Sequence, residues 1–211
     1  MRKKIILCFL SLCCMLFASA QRYQVTTGTN NPEEKWAVVE DPATANYVAI
    51  GNVTINNISE VWISSYAPNG TLLTSARASN NRRMIARDIC LAPRDPNNGN
   101  PTYYVTGWTQ TQLATGLLVN QMFVGRIDLA GAFLWYQENP FAGNGNDKEG
   151  IAVVTEPVTM DVVALGIVQW PAAGGVPAGP RVILTRFGPA GGAPPIGHRG
   201  PDGAYGARRG A

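Results

Sequence analysis

Short apolar runs that end in glycine recur along the chain: Tyr47-Val-Ala-Ile-Gly51, Tyr103-Tyr-Val-Thr-Gly107 and Val162-Val-Ala-Leu-Gly166, starting 56 and then 59 residues apart. A second element follows each one: Val61-Trp-Ile-Ser-Ser-Tyr-Ala-Pro-Asn-Gly70, Met122-Phe-Val-Gly-Arg-Ile-Asp-Leu-Ala-Gly131 and Val182-Ile-Leu-Thr-Arg-Phe-Gly-Pro-Ala-Gly191, with glycines 61 and 60 residues apart. A third precedes each: Trp36-Ala-Val-Val-Glu-Asp-Pro42, Arg87-Asp-Ile-Cys-Leu-Ala-Pro93 and Ile151-Ala-Val-Val-Thr-Glu-Pro157. Three markers in one order at one period identify an internal repeat.

Each unit reads as a four-stranded meander. The first strand stops at proline, which cannot donate to a ladder. The second stops at Gly51, Gly107 or Gly166, where glycine permits a bulge or a left-handed turn. The third and fourth form a hairpin closed by Gly70, Gly131 or Gly191 at positive φ. The third strands open with consecutive apolar residues (Val61, Trp62, Ile63; Met122, Phe123, Val124; Val182, Ile183, Leu184). Successive side chains on a strand point to opposite faces, so both faces are apolar there. Burying one such side chain is worth roughly 1.5–3 kcal/mol, so each unit needs neighbours. The predicted fold is all-β: three four-stranded antiparallel meander units stacked as blades of a partial β-propeller.

Residues 188–211 break the pattern, twelve of these 24 being Gly or Pro, and are predicted to be disordered. Three units are one short of the about four blades of the smallest usual propeller. Three expectations follow: a truncated or frame-shifted chain, a stack of three units, or blades completed by a longer chain or another subunit.

The second unit resembles a known family. Ile85-Ala-Arg-Asp-Ile-Cys90, Tyr104-Val-Thr-Gly-Trp-Thr109 and Phe123-Val-Gly-Arg-Ile-Asp-Leu-Ala-Gly-Ala-Phe-Leu-Trp135 are similar to the bacterial secreted seven-bladed β-propeller repeat. The resemblance runs from about residue 34 to 192. The hairpin aspartate of that repeat is replaced by Ala67 in the first unit and Gly188 in the third. The resemblance implies a secreted or surface-associated propeller and carries no catalytic constellation.

The N-terminus changes the reading of charge and cysteine. Arg2, Lys3 and Lys4, the apolar run Ile5–Phe17 and the small residues Ala18-Ser19-Ala20 form an expected signal peptide, residues 1–20, cleaved after Ala20. Leu12 before Cys13 argues against a lipoprotein site, which needs a small residue there. Without the signal, the remaining basic residues equal the 14 acidic ones in number. A neutral chain with no basic cluster predicts no nucleic-acid partner, and no later apolar run is long enough for a membrane span. Only Cys90 survives cleavage, so no intramolecular disulfide is expected; by its match to Val39 and Val154 it is read as core. The expected organisation is a linker at 21–33, repeats at 34–192 (units about 34–80, 84–141 and 147–192), and a Gly/Pro-rich tail at 193–211.

Candidate chemistry is sparse. The one histidine, His198, lies in the tail, which leaves a serine or cysteine nucleophile without a base and zinc without ligands. Asp95, Asn97, Asn144 and Asp147 lie in two loops that offer oxygen ligands for calcium, but neither loop fits the EF-hand pattern and such residues equally serve turns. No other cofactor is expected. Asp88, Asp128, Asp147, Glu149 and Glu156 could supply a carboxylate pair, with no motif selecting two. Trp108, Trp135, Tyr136 and Trp170 lie near strand ends, where they could stack on a sugar or anchor a protein; packing between units is the competing reading. Trp62 and Phe123 are assigned to the core. The sequence thus predicts a secreted, non-enzymatic module binding a protein or carbohydrate through loops at one end of its blades. The alternatives are a fragment of a polysaccharide hydrolase or lyase, and a structural surface protein.

Overall fold

The computed structural model of the chain describes residues 33–138, 147–170, 179–191, 197–199 and 205–207. The expected signal peptide, most of the linker at 21–33 and most of the tail lie outside them. The described residues contain no helix, only strands and the turns between them. The first sheet holds β1 (Glu33–Asp41), β2 (Asn46–Ile55), β3 (Ile58–Tyr66) and β4 (Leu72–Ala78), paired in chain order. The second repeats this with β5 (Met84–Ala92), β6 (Thr102–Gln112), β7 (Leu118–Asp128) and β8 (Phe133–Glu138). The third contains β9 (Lys148–Thr155), β10 (Val162–Trp170) and β11 (Gly179–Phe187); a fourth strand, for which the Gly/Pro-rich sequence after Phe187 offers no credible segment, is not among the described residues. From the tail, β12 (Gly197–Arg199) and β13 (Tyr205–Ala207) pair as a short ladder.

The register is the same in all three sheets. Gly51, Gly107 and Gly166 face Trp62, Phe123 and Ile183 on the third strands. On the other side they face Lys35, Ala86 and Gly150, each followed by one bulged residue: Trp36, Arg87 or Ile151. A side chain on Gly51 or Gly107 would run into the backbone carbonyl oxygen of Glu34 or Ile85, and a methyl on Gly166 would sit 2.6 Å from that of Glu149. The glycine is therefore there for the bulge, which pushes the first strand's carbonyl against the second strand. By contrast, Gly70, Gly131 and Gly191 close the hairpins at φ of 85°, 83° and 82°, a region that L side chains rarely enter.

The sheets stack face to face. Between the first and second lies a core of Val48, Ile50, Val61 and Ile63 from one side and Ile89, Tyr103, Val105 and Phe123 from the other. Between the second and third lies another, built on Tyr104, Met122, Val124, Val153, Ala164 and Phe187. Tyr103 and Tyr104, adjacent on β6 and both buried, enter different cores. Period-two alternation thus makes the middle sheet apolar on both sides, as its sequence predicts.

Polar clasps fix the stacking. The Asn52 side chain accepts the Ala86 amide at 2.8 Å and donates to its carbonyl at 3.3 Å. Asp88, just past the second bulge, accepts the Val153 amide at 2.8 Å. The Arg87 guanidinium lies 4.3 Å from the ring centre of Trp36, so the bulged residues of the first two units touch.

The glycine–bulge contact gives a direct prediction. Gly107→Ala should lower stability by about 3 kcal/mol or more, at the upper end of overpacking costs. Gly179→Ala, which has no atom within 4 Å of the added methyl, should change stability by less than about 0.5 kcal/mol. Urea unfolding followed by tryptophan fluorescence reads both.

Candidate functional site

The turns from first to second strand gather at one end of the stack. There Pro42, Pro93 and Pro157, the equivalent prolines of the three units, line a single cleft of about 350 Å³. Leu91, Pro101 and Met160 add apolar wall, and Asp41, Arg94, Thr102 and Thr155 supply its polar groups.

Each turn is built the same way, from an acidic residue, a proline, two further residues and one left-handed residue. Ala45, Gly99 and Met160, at φ of 55°, 70° and 59°, donate their amides to the carbonyls of Asp41, Asp95 and Glu156 at 2.8, 2.7 and 2.9 Å. The acidic side chain caps its own loop. Asp41 accepts from the Ala43 amide and the Thr44 hydroxyl at 3.0 and 3.1 Å. Asp95 accepts from the Asn97 amide at 3.0 Å. Glu156 accepts from the Thr159 hydroxyl and amide, both at 2.6 Å. These bonds, together with the Val158 amide and the Arg186 charge, hold the Glu156 carboxyl below its ordinary range. In the second unit this turn is displaced by three residues, so that Pro93 and Arg94 precede it.

The middle sheet holds the turns of both neighbours. Arg94 reaches back to the carboxylate of Asp41 at 3.4 Å. Tyr104 donates its hydroxyl to the Met160 carbonyl at 3.2 Å, and burial pushes its pKa up to about 12. Arg126, buried on β7, donates to Thr102 Oγ1 at 2.9 Å and to the Pro93 carbonyl at 2.6 Å. The Thr102 and Thr155 hydroxyls donate to the carbonyls of Pro93 and Leu91, so neither is presented as a nucleophile. The cleft thus combines apolar walls with one ion pair, whose arginine is half-exposed and whose aspartate is buried.

The residues singled out in the sequence are dispersed. Trp135 stacks on Tyr104 and Phe187 at 5.8 and 6.1 Å between centroids and donates its indole N–H to the Pro189 carbonyl at 2.9 Å, sealing the second sheet against the third. Tyr136 packs on Phe123 and Phe133 and donates to Glu138 at 3.2 Å; burial raises its pKa. Trp108 is buried beneath Arg83. Trp170 ends β10, and its side chain lies outside the described residues. Trp108, Trp135 and Tyr136 do not form one surface.

Of the calcium candidates, Asp95 and Asn97 are occupied with each other in the capped turn. Asp147 accepts the Asn120 amide at 2.8 Å, and Asn144 lies outside the described residues. Among the described residues, no three His, Cys, Asp or Glu side chains form a group that could hold a metal. Asp128 and Glu149 are separated as well. Asp128 ends β7 at the cleft end and caps its own hairpin through the Ala130 and Ala132 amides, both at 2.9 Å. Glu149 sits at the far end of β9, a strand of eight residues and hence about 25 Å long. Glycosidase carboxyl pairs span at most about 9.5 Å.

Acid–proline dipeptides (Asp41-Pro42, Asp95-Pro96, Glu156-Pro157) were the available signal for this end. Read alone, the prolines mark only strand stops, and the shared turn emerges when each is taken with its acidic neighbour. In sequence the chain matches no protein-family model and no curated protein.

Cys90 lies beside the cleft floor, its sulfur 3.3 Å from Thr155 Oγ1, in the seam between the second and third sheets. Burial raises its pKa from 9.0 to about 11. The folded state therefore keeps the proton that the unfolded state loses, and stability should fall as pH rises from about 9 to 11. Alkylation by iodoacetamide at pH 8 should be much slower than in urea; equal rates would place the thiol outside the seam.

Proposed function

We propose that the chain is an exported, propeller-like binding module, bacterial in origin, that takes its ligand at the proline-lined end of the stack. The observation that carries this reading is the convergence on one cleft of the connections between first and second strands of all three units, pinned by Arg94, Tyr104 and Arg126 of the middle unit. A repeat scaffold that presents equivalent loops at one end places function on those loops rather than on its buried strands. The N-terminal pattern of basic residues, an apolar run and small residues supports export, and the repeated glycine-ended strands support kinship with secreted seven-bladed propellers.

The cleft's chemistry defines its ligand. Proline, leucine and methionine walls suit the apolar face of an extended peptide or a sugar ring, while Arg94, 44% exposed, offers a charge for a carboxylate or hydroxyl. The engagement of Asp128 with its own hairpin, and the position of Glu149 at the other end of the sheets, weigh against a paired-carboxylate hydrolase.

A glycan array and a library of extended peptides, probed with the purified protein, test this reading. Ala43→Trp, at an exposed residue of the cleft wall, should abolish binding of whatever ligand is retained, and Arg94→Ala should weaken it about tenfold, while far-UV circular dichroism stays unchanged. Undiminished binding by Ala43→Trp would move the ligand site elsewhere. Hydrolysis of an array glycan that is lost in Asp128→Asn would favour the enzyme instead.

A further inference from the structure

The third sheet ends the stack, and its outer face is aliphatic and open. Strand alternation places Val154 of β9, Val163, Leu165 and Ile167 of β10, and Val182 and Leu184 of β11 on that face. At the matching register of the second sheet, Met122 and Val124 are 1% exposed because the third sheet packs on them. Val182 and Leu184, by contrast, are 67% and 57% exposed. Val154 and Leu165 are exposed too, and Ile151 extends the patch at the bulge. The open aliphatic area is on the order of 500 Å², the size at which a patch marks an interaction surface.

The other end of the stack offers no such face. On the outer side of the first sheet, Trp62, Ser64 and Tyr66 are already buried within the chain. The Lys35 ammonium lies over Trp62, 3.5 Å from the ring centre, and donates to Ser64 Oγ at 2.9 Å. The first sheet of a second copy thus has no open seam to bring. The sheet face that a second copy can bring is the same aliphatic one, and an interface that uses one patch on both partners is isologous.

This face complements itself. Leu165 stands at its centre, between Ala152 on β9 and Leu184 on β11. Arg186, opposite Val163, and Glu149, opposite Ile167, occupy diagonal corners, each one strand over and two residues along from Leu165. A two-fold axis through Leu165, lying between the sheets and perpendicular to that diagonal, brings Arg186 of each copy to Glu149 of the other. Arg186 is 50% exposed and is held in place by Asp161, to which its Nε donates at 2.7 Å. The corners lie about 13 Å apart along the strands and about 10 Å across them, so the two sheets cross near a right angle, one of the two usual ways in which sheets pack.

We propose that this face forms a symmetric dimer of the chain, third sheet against third sheet, with Leu165 on the two-fold axis. The pair buries on the order of 1,000 Å², the lower limit of a specific interface. Its centre is apolar and its rim charged, as in other homodimer interfaces.

An interface of that size predicts association at micromolar concentrations. In analytical ultracentrifugation the protein purified after export should sediment as a dimer at about 100 µM and as a monomer at high dilution. Val182→Arg should leave it monomeric at the higher concentration with its β circular dichroism unchanged, since Val182 faces water in the single chain. Glu149→Lys should weaken association about tenfold by setting like charges against each other. A residue on a two-fold axis meets its own copy. A short bis-maleimide should therefore join Leu165→Cys to itself and leave the wild type, whose Cys90 lies in the inner seam, unjoined. A wild type that is monomeric at about 100 µM, that grows beyond a dimer, or that Val182→Arg leaves dimeric would overturn the proposal, as would Leu165→Cys chains that the reagent fails to join.

Discussion

Strands that are apolar on both faces have to be covered on both sides, and the whole stack follows from that requirement. On β6, Tyr103 and Val105 enter one core while Tyr104 enters the other. No single sheet can bury both sets, and each side chain left in water forfeits roughly 1.5–3 kcal/mol. Repetition solves the problem, because each sheet presents one half of a seam on one face and the complementary half on the other. The glycine opposite each bulge lets the first strand press against the second at the same point in every unit, so the seams keep one register.

The stacking carries through to the loops. Because the units are held in register, their equivalent turns arrive at one end together, and Pro42, Pro93 and Pro157 become neighbours despite lying more than a hundred residues apart in the chain at the extremes. The middle sheet then fixes the turns on either side through Arg94 and Tyr104, and its own through Arg126. A cleft whose walls come from three units is rigid only while both seams hold, which couples the binding end to the cores beneath it.

Much of this was legible in the residues. The glycine-ended strands, the hairpin glycines and the consecutive apolar pairs gave the sheets, their order and their need for neighbours, since period-two alternation is a local property. The site was less legible. Trp135 and Tyr136 look like binding aromatics near strand ends, yet both are drawn into packing between or within sheets, because what lies across a seam is not written in either strand alone. Asp95 and Asn97 look like cation ligands, but the carboxylate caps its own turn, a competition that only the backbone conformation decides. Arg126 drew no notice, since its role rests on carbonyls brought near by the fold.

Amide hydrogen exchange on the native protein tests the sandwiching of the middle sheet most directly, because it ranks strands by how far they are covered. Complete burial on both faces predicts that the amides of β6, from Tyr103 to Thr109, exchange more slowly than those of β1 and β11, which lie in the outer sheets. Exchange in β6 as fast as in those outer strands would contradict a sheet enclosed on both sides.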